Sequence, residues 1–525
     1  MHADSVAGHD RGDQTAETHL AGAFNEEIDE QIDEQIDEQL DQAIDQEIAE
    51  LEQRLHRKRA ALATKRIVPV SREGMLVCTR QQEGLWFEHQ FDPASTVYHI
   101  PVALRLHGPL DHTALHQALH TLITRHEALR TRFVAHDGLP RQIIDPPPAD
   151  LPLTPIDIPT NTVDTWVTQQ IRRPLNLATG PVFHTALARL TPDEHILVLV
   201  AHHIVADGWS VGILTNELTR LYTANTATNH TQLPNLTVQP ADHAAWQRTR
   251  LHDDELTRQL EHWQKTLTDL PTLDFPTDRP RPAQPTGAGA RIDRPLPHHL
   301  TTATHHYARN HHLSILAIHQ AALLTVLHRY TGQTDLPIGS IFSGRTHTDI
   351  EPLVGYFANT VVLRTHLNND PTFAQLTRRC HDTILDATTH QDIPFSLIVD
   401  TLQPARIAGR TPLFQICLTL QPAGWGRAGA GEELKLGAVL VEPIDLDSEY
   451  ARFDLSLDVA EQADGALYVS VEYSTELFDA DRIDRLIDHF TAALTGGIAS
   501  PDTVIHDIEL MSPDERRQVL HGFSS

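Results

Sequence analysis

The sequence predicts an α/β protein made of two sandwiches of roughly 200 residues each, preceded by a long acidic helix. Three observations carry this. At 525 residues with 40% hydrophobic content, the chain exceeds one ordinary core and has enough apolar side chains to fill more than one. β-rich apolar runs and stretches with helical spacing are mixed in both halves. A segment rich in proline and arginine, residues 277–285, separates the halves near the middle.

Composition narrows the function classes. No apolar run approaches the 18 or so residues of a membrane span, and Met1 to Ser5 lack the basic-then-apolar order of a secretory signal. A soluble, cytoplasmic protein with no membrane association is therefore expected. Cys78, Cys380 and Cys417 are odd in number and have no CxxC spacing, which fits reduced thiols better than disulfides or zinc. The net charge of −29 argues against nucleic acid as a partner.

Residues 1–24 are polar and aperiodic, and a disordered leader is expected. Residues 25–66 repeat an acidic four-residue unit with Ile28, Ile32, Ile36, Leu40, Ile44 and Ile48 as its apolar stripe. A strict period of four drifts about 40° per step around a helix, so this stripe winds off a coiled-coil seam. Acidic residues at the front and Arg54, Arg57, Lys58, Arg59, Lys65 and Arg66 at the back suit the helix dipole. The segment reads either as a solvated helical spacer or as a helix that docks an upstream polypeptide through its isoleucines.

A first lobe is expected over 67–276. Residues 97–106 read as a strand, and Leu115, Leu119, Leu122 and Ile123 fall at helical spacing. The run His195-Ile196-Leu197-Val198-Leu199-Val200 reads as a buried strand. It leads into Ala201-His202-His203-Ile204-Val205-Ala206-Asp207-Gly208-Trp209-Ser210, where paired histidines sit at a strand end, a position that fixes chemistry while leaving it accessible. An amphipathic helix is expected from about 212 to 222. After a linker at 277–288, the second lobe is expected over 289–508. It opens with an apolar helix at 314–328, closed by Gly332, and a strand at 336–340. Residues 424–437 form a glycine-rich stretch without the spacing of a nucleotide cradle. Residues 509–525 read as the start of a linker toward a following domain.

Taken together, the segments from about 68 to 515 resemble the condensation domain of nonribosomal peptide synthetases. The central HHxxxDG pattern is His202-His203-Ile204-Val205-Ala206-Asp207-Gly208. RHExLRTxF stands intact from Arg125 to Phe133, GxFxNT from Gly355 to Thr360, and HQDxPF from His390 to Phe395. The opening motif is approximated by Thr79 to Phe87, with Gly84 where arginine is usual. The YxDYAVW motif is reduced to Ala241-Asp242-His243-Ala244-Ala245-Trp246, and the last motif to Arg410-Thr411-Pro412-Leu413-Phe414. The resemblance implies a V-shaped pair of chloramphenicol-acetyltransferase-like lobes. It also implies an acyltransferase that binds no cofactor itself, and joins an acyl or peptidyl thioester to an aminoacyl thioester. Both substrates would ride on phosphopantetheine arms of an upstream donor and a downstream acceptor carrier protein, beside an adjoining adenylation domain.

On that basis His203 is assigned as the catalytic residue, because a largely neutral imidazole can take or direct the proton of the attacking amine. His202, Asp207, Gly208, Arg125 and Arg345 are expected to support it. Asp207 reads as half of a buried ion pair, with Arg125 the first candidate partner and Arg345 the second; stranding one charge of such a pair costs about 3–5 kcal/mol. Gly208 is expected to allow a positive φ or close backbone approach, and its amide to help hold an oxyanion. Trp209, Ser210 and Asn359 are assigned to a substrate tunnel, with a strand-end cap as the other role for Asn359. No metal site is expected, since the pairs His305-His306 and His311-His312 diverge by about 100° along a helix. Two other outcomes stay open: an ester-forming acyltransferase of the same superfamily, and a non-catalytic recruiting module.

Overall fold

The computed structural model describes residues 66–226, 233–251, 253–405, 407–421, 435–446, 450–462 and 465–522. The leader at 1–24, the acidic segment at 25–66 apart from its last residue, and most of the glycine-rich stretch lie outside them. The chain divides into Met1–Arg66 and Ile67–Ser525; the second unit is described here.

It begins with β1 (Leu76–Val77) and α1 (Arg80–Phe91), followed by β2 (His99–His107) and α2 (His112–Arg125). The sequence sets these starts locally. Thr79 accepts from the Gln82 amide while the Gln82 side chain accepts from the Thr79 amide, and Asp111 caps α2 through the Ala114 amide. Then come β3 (Thr131–His136), β4 (Leu139–Ile144), β5 (Ile156–Asp157), α3 (Val163–Ile171), β6 (Phe183–Thr191), β7 (Glu194–His202), α4 (Gly208–Thr226), α5 (Pro240–Arg250) and α6 (Asp253–Leu267). The later part contains β8 (Gly289–Pro295), α7 (His298–Asn310), α8 (Ile315–Thr331), β9 (Asp335–Phe342), β10 (Asn359–His366), α9 (Phe373–Thr389), α10 (Phe395–Leu402), β11 (Ile416–Gln421), β12 (Lys435–Leu436), β13 (Val439–Pro443), β14 (Leu455–Glu461), β15 (Leu467–Ser474), α11 (Ala480–Ala499) and α12 (Pro513–Gly522).

Among the described residues, two six-stranded sheets organise these elements, in the orders β12-β13-β2-β7-β6-β5 and β10-β9-β11-β14-β15-β8. β7 is central in the first. Leu197, Leu199 and Ala201 pack with α2 and α4, while Ile196, Val198 and Val200 pack with Trp166 and Val167 of α3. Burial on both faces explains the unbroken apolar run, and each such side chain contributes about 1.5–3 kcal/mol. In the second sheet β14 and β15 alternate instead, so only one face meets the helices.

The lobes exchange material in a way the expected boundaries at 276 and 289 did not capture. Leu251, Trp263, Leu267 and Leu273 belong to the second core, and the Trp263 indole donates to the His390 carbonyl. Conversely, β12 and β13, which follow β11 of the second sheet, join the first: Leu440 to Pro443 pair antiparallel with His107 to Leu104. Gly437, at φ +59°, makes the tight turn between them.

Candidate active site

β7 ends at His202, and the chain turns through His203 to Asp207 before entering α4. The helix starts at Gly208, four residues earlier than its apolar spacing suggests, because Asp207 caps it. The Asp207 carboxylate accepts from the Ser210 amide at 2.9 Å and the Ser210 hydroxyl at 2.7 Å. Gly208 is the first residue of α4 and does not have a positive φ, so of the two roles expected for it the left-handed turn does not apply.

The same carboxylate reaches the second lobe. Oδ1 meets the Arg345 guanidinium at 2.9 Å, with both side chains only 1% exposed, and Oδ2 accepts from the Phe357 amide at 3.1 Å. Arg345 in turn donates to the carbonyls of Ile350 and Leu353 and lies 4.4 Å over the Phe357 ring. Arg345, the second candidate, is therefore the partner of Asp207. Arg125, the first, lies elsewhere: its Nε shares the Glu217 carboxylate with the His126 imidazole. Both arginines could satisfy a carboxylate by charge, but only Arg345 follows β9 to the lobe junction.

His203 is held by its backbone, with its amide donating to the Tyr98 carbonyl at 2.7 Å. Its ring meets Tyr356 edge-on at 5.1 Å. Nδ1 is buried, with no hydrogen-bond partner of normal geometry among the described residues, although the residue as a whole keeps partial exposure. Burial, helped by the Arg452 guanidinium and opposed by Asp207, lowers the His203 pKa to about 3, so the imidazole is neutral. His202 is structural. It is 1% exposed, its Nδ1 accepts from the Ile204 amide, and burial together with His89 and His99 lowers its pKa to about 2.

Of the three tunnel assignments one changes, Ser210, and Asn359 takes up the strand-end role that was its other expectation. Ser210 is fully buried, its hydroxyl donating to Asp207 at 2.7 Å, lying 2.9 Å from the Gly355 carbonyl and accepting from the Gly355 amide. It fastens the lobes and is not accessible to substrate. Asn359 opens β10 and spends its amide on the loop before α10, donating to the carbonyls of Gln391 and Ile393 and accepting from the Phe395 amide. Trp209 is partly exposed, and its indole donates to the Glu351 carbonyl.

Beside Tyr356 lies a small cleft whose lining includes Thr79, His243, Trp246, Arg250, Asn359 and Asp392. His243 is buried there with Nδ1 unpartnered among the described residues, and burial lowers its pKa to about 3. Tyr356 and His243 were within reach of sequence reading, since both fall inside quoted motifs. Tyr98 and Arg452, whose guanidinium lies 5.5 Å over the Tyr98 ring, carry no local signal.

Among the described residues, His262, Asp386 and His390 place potential metal-binding atoms close together. The two imidazoles are stacked 3.5 Å apart and 3° from parallel, so their lone pairs lie in separate planes and do not meet at a common ion.

A family model for the condensation domain matches residues 72–520. The chain belongs to the condensation-domain family. This condensation domain is 36% identical over 458 residues to the chondramide synthase of Chondromyces crocatus, covering 86% of this chain and 12% of that protein. It is 36% identical over 461 residues to the malpinin synthetase of Mortierella alpina, covering 86% and 6%. It thus spans a small fraction of those relatives. Among solved structures, the X-domain from teicoplanin biosynthesis matches with a TM-score of 0.75 at 27% identity, covering 85% of this chain and all of that one. The first condensation domain of the calcium-dependent antibiotic synthetase, in complex with a substrate analogue, matches with a TM-score of 0.67 at 21% identity, covering 84% and 100%, and shows the fold. The expected two-lobed acetyltransferase-like architecture of the condensation domain is borne out.

Proposed function

We propose that this condensation domain forms an amide between a carrier-bound acyl or peptidyl thioester and a carrier-bound aminoacyl group. The observation that carries the reading is a neutral His203, fixed at the lobe junction by the Tyr98 carbonyl, with its loop tied across to Arg345 through Asp207. The acceptor amine attacks the thioester carbonyl carbon, the C–S bond breaks, and the amine proton ends on the departing thiol. His203 orients the amine and receives or relays that proton, and the Gly208 amide at the start of α4 is the candidate oxyanion donor. The phosphopantetheine arms belong to the donor and acceptor carriers. Residues 25–66 serve as the docking segment for an upstream synthase polypeptide, and residues 509–525 lead toward an adenylation domain.

The test is intact-mass analysis of acceptor carriers incubated with loaded donor carriers. His203→Ala should lower product formation at least 100-fold with an unchanged melting temperature, and unchanged turnover would remove His203 from the reaction. One observation favours a second reading. A related X-domain, 26% identical with a TM-score of 0.76, is solved in complex with OxyB from teicoplanin biosynthesis, so this fold can present a surface to another protein. No turnover by the unmodified chain with any carrier pair would support that recruiting role.

A further inference from the structure

Two arginines of the second lobe act at the His203 loop, and they differ in what they touch. Arg345 is buried and engaged by Asp207 and the carbonyls of Ile350 and Leu353. Arg452 is exposed, and its guanidinium meets no carboxylate and no carbonyl among the described residues. It lies 5.5 Å over the ring of Tyr98, a first-lobe residue whose carbonyl accepts the His203 amide at 2.7 Å. This contact therefore crosses the lobe junction at the residue that holds His203.

The backbone under Arg452 is fastened on both sides. The Ala451 amide donates to the Gly287 carbonyl at 2.9 Å, and Gly289 packs so closely that a Cβ there would lie 2.5 Å from the Tyr450 and Ala451 backbone. The Arg452 amide donates to the Glu472 carboxylate at 3.4 Å. Phe453 packs on Phe414 with ring centroids 5.0 Å apart, and the Asp454 carboxylate is bound by Arg281. A rigid base thus presents an unpaired charge. Its reach shows in the groups nearby: at His203 the Arg452 charge counts for more than that of Asp207, only four positions away in the chain. Tyr98, Tyr356 and His202 respond to the same positive charge, opposed by Glu88 at Tyr98 and by Asp207 at Tyr356. Asp207 is already paired with Arg345.

Aminolysis of a thioester calls for such a charge. Attack of the amine on the carbonyl carbon places a negative charge on the carbonyl oxygen. Collapse breaks the C–S bond and moves that charge to sulfur, which takes the amine proton by way of His203 and leaves as a thiol. A positive potential favours both anions, favours the free amine over its ammonium, and disfavours an imidazolium that would keep the proton. We propose that Arg452 is a positioning residue of this reaction: stacked on Tyr98, it fixes the carbonyl that holds His203, and its unpaired charge supports the negative charge that develops beside His203. The inference rests on the reading of the domain as an amide-forming enzyme, and adds to it a second-lobe residue that lies outside every motif quoted above.

The experiment measures kcat and KM for loaded donor and acceptor carriers with the full chain and its Arg452→Gln and Arg452→Lys variants. Arg452→Gln should lower kcat about tenfold while both KM values stay within about twofold, and Arg452→Lys, which keeps the charge, should recover most of the loss. Because the charge is exposed, the kcat ratio between the unmodified chain and Arg452→Gln should shrink as salt rises from about 0.05 M to about 0.5 M. Arg452→Met takes the place of Arg452→Gln if the latter does not fold. An unchanged kcat, or a loss that lysine does not restore and salt does not narrow, would overturn the proposal. If no carrier pair is condensed by the unmodified chain, the amide-forming reading falls separately. Titration with a pantetheine-linked phosphonate, an anionic mimic of the tetrahedral intermediate, and with its neutral methyl ester then decides the role of Arg452. A preference for the anion that Arg452→Gln abolishes and Arg452→Lys keeps sustains it, and equal or absent binding rejects it.

Discussion

Asp207 does three things with one carboxylate: it caps α4, anchors Ser210 and neutralises Arg345 at 1% exposure. Removing it strands a buried guanidinium, a larger effect than the loss of one hydrogen bond. Asp207→Asn should therefore lower unfolding stability by about 3–5 kcal/mol in urea titrations, and Asp207→Leu combined with Arg345→Met should recover part of that loss. Strict additivity of the two single changes would show that the charges are not coupled. The sequence located this carboxylate and its ion-pairing role, yet ranked Arg125 above Arg345, because charge and motif membership do not say which guanidinium crosses the lobe junction. His203 shows the complementary limit. Its position at a strand end is visible in the apolar run before it, whereas its neutrality comes from burial and from Arg452, 249 positions later in the chain.

Among the elements, the short connection between α9 and α10 depends most on one side chain. Asn359 holds the loop through the carbonyls of Gln391 and Ile393 and the amide of Phe395. Asn359→Leu should leave these groups unsatisfied, destabilise the protein by about 1–3 kcal/mol and raise hydrogen exchange in residues 390–402 before β14 is affected. Exchange rising equally in both regions would mean that the loop opens only with global unfolding. Legibility at this scale followed periodicity. The doubly buried β7 and the one-faced β14 and β15 can be read from their residue patterns, while α4 starts early because a cap outweighs apolar spacing. The pairing of β13 with β2 could not be read this way, since register between distant segments leaves no local period.

The whole molecule buries several neutral histidines. His202, His203, His243 and His319 have pKa values lowered to about 2, 3, 3 and 4, chiefly by burial. In the unfolded chain they titrate near 6.5, so between these values the unfolded state binds more protons and stability falls as pH drops, by up to about 1.4 kcal/mol per unit for each histidine. Asp458, raised to about 7, acts in the opposite sense and offsets one of them. The melting temperature should fall steadily from pH 6.5 to 4.5, and His319→Leu should make that slope shallower by about one proton; an unchanged slope would mean that His319 titrates alike in both states. The exchange of strands has a further consequence at this scale. Because residues 435–443 complete the first sheet while their neighbours on both sides belong to the second, a hybrid enzyme joined at 277–288 would carry a foreign edge strand against β2. Lobes taken from different synthetases should therefore assemble only when the hairpin of β12 and β13 is transplanted together with the first lobe, which makes a compatible crossover a matter of three junctions and not one.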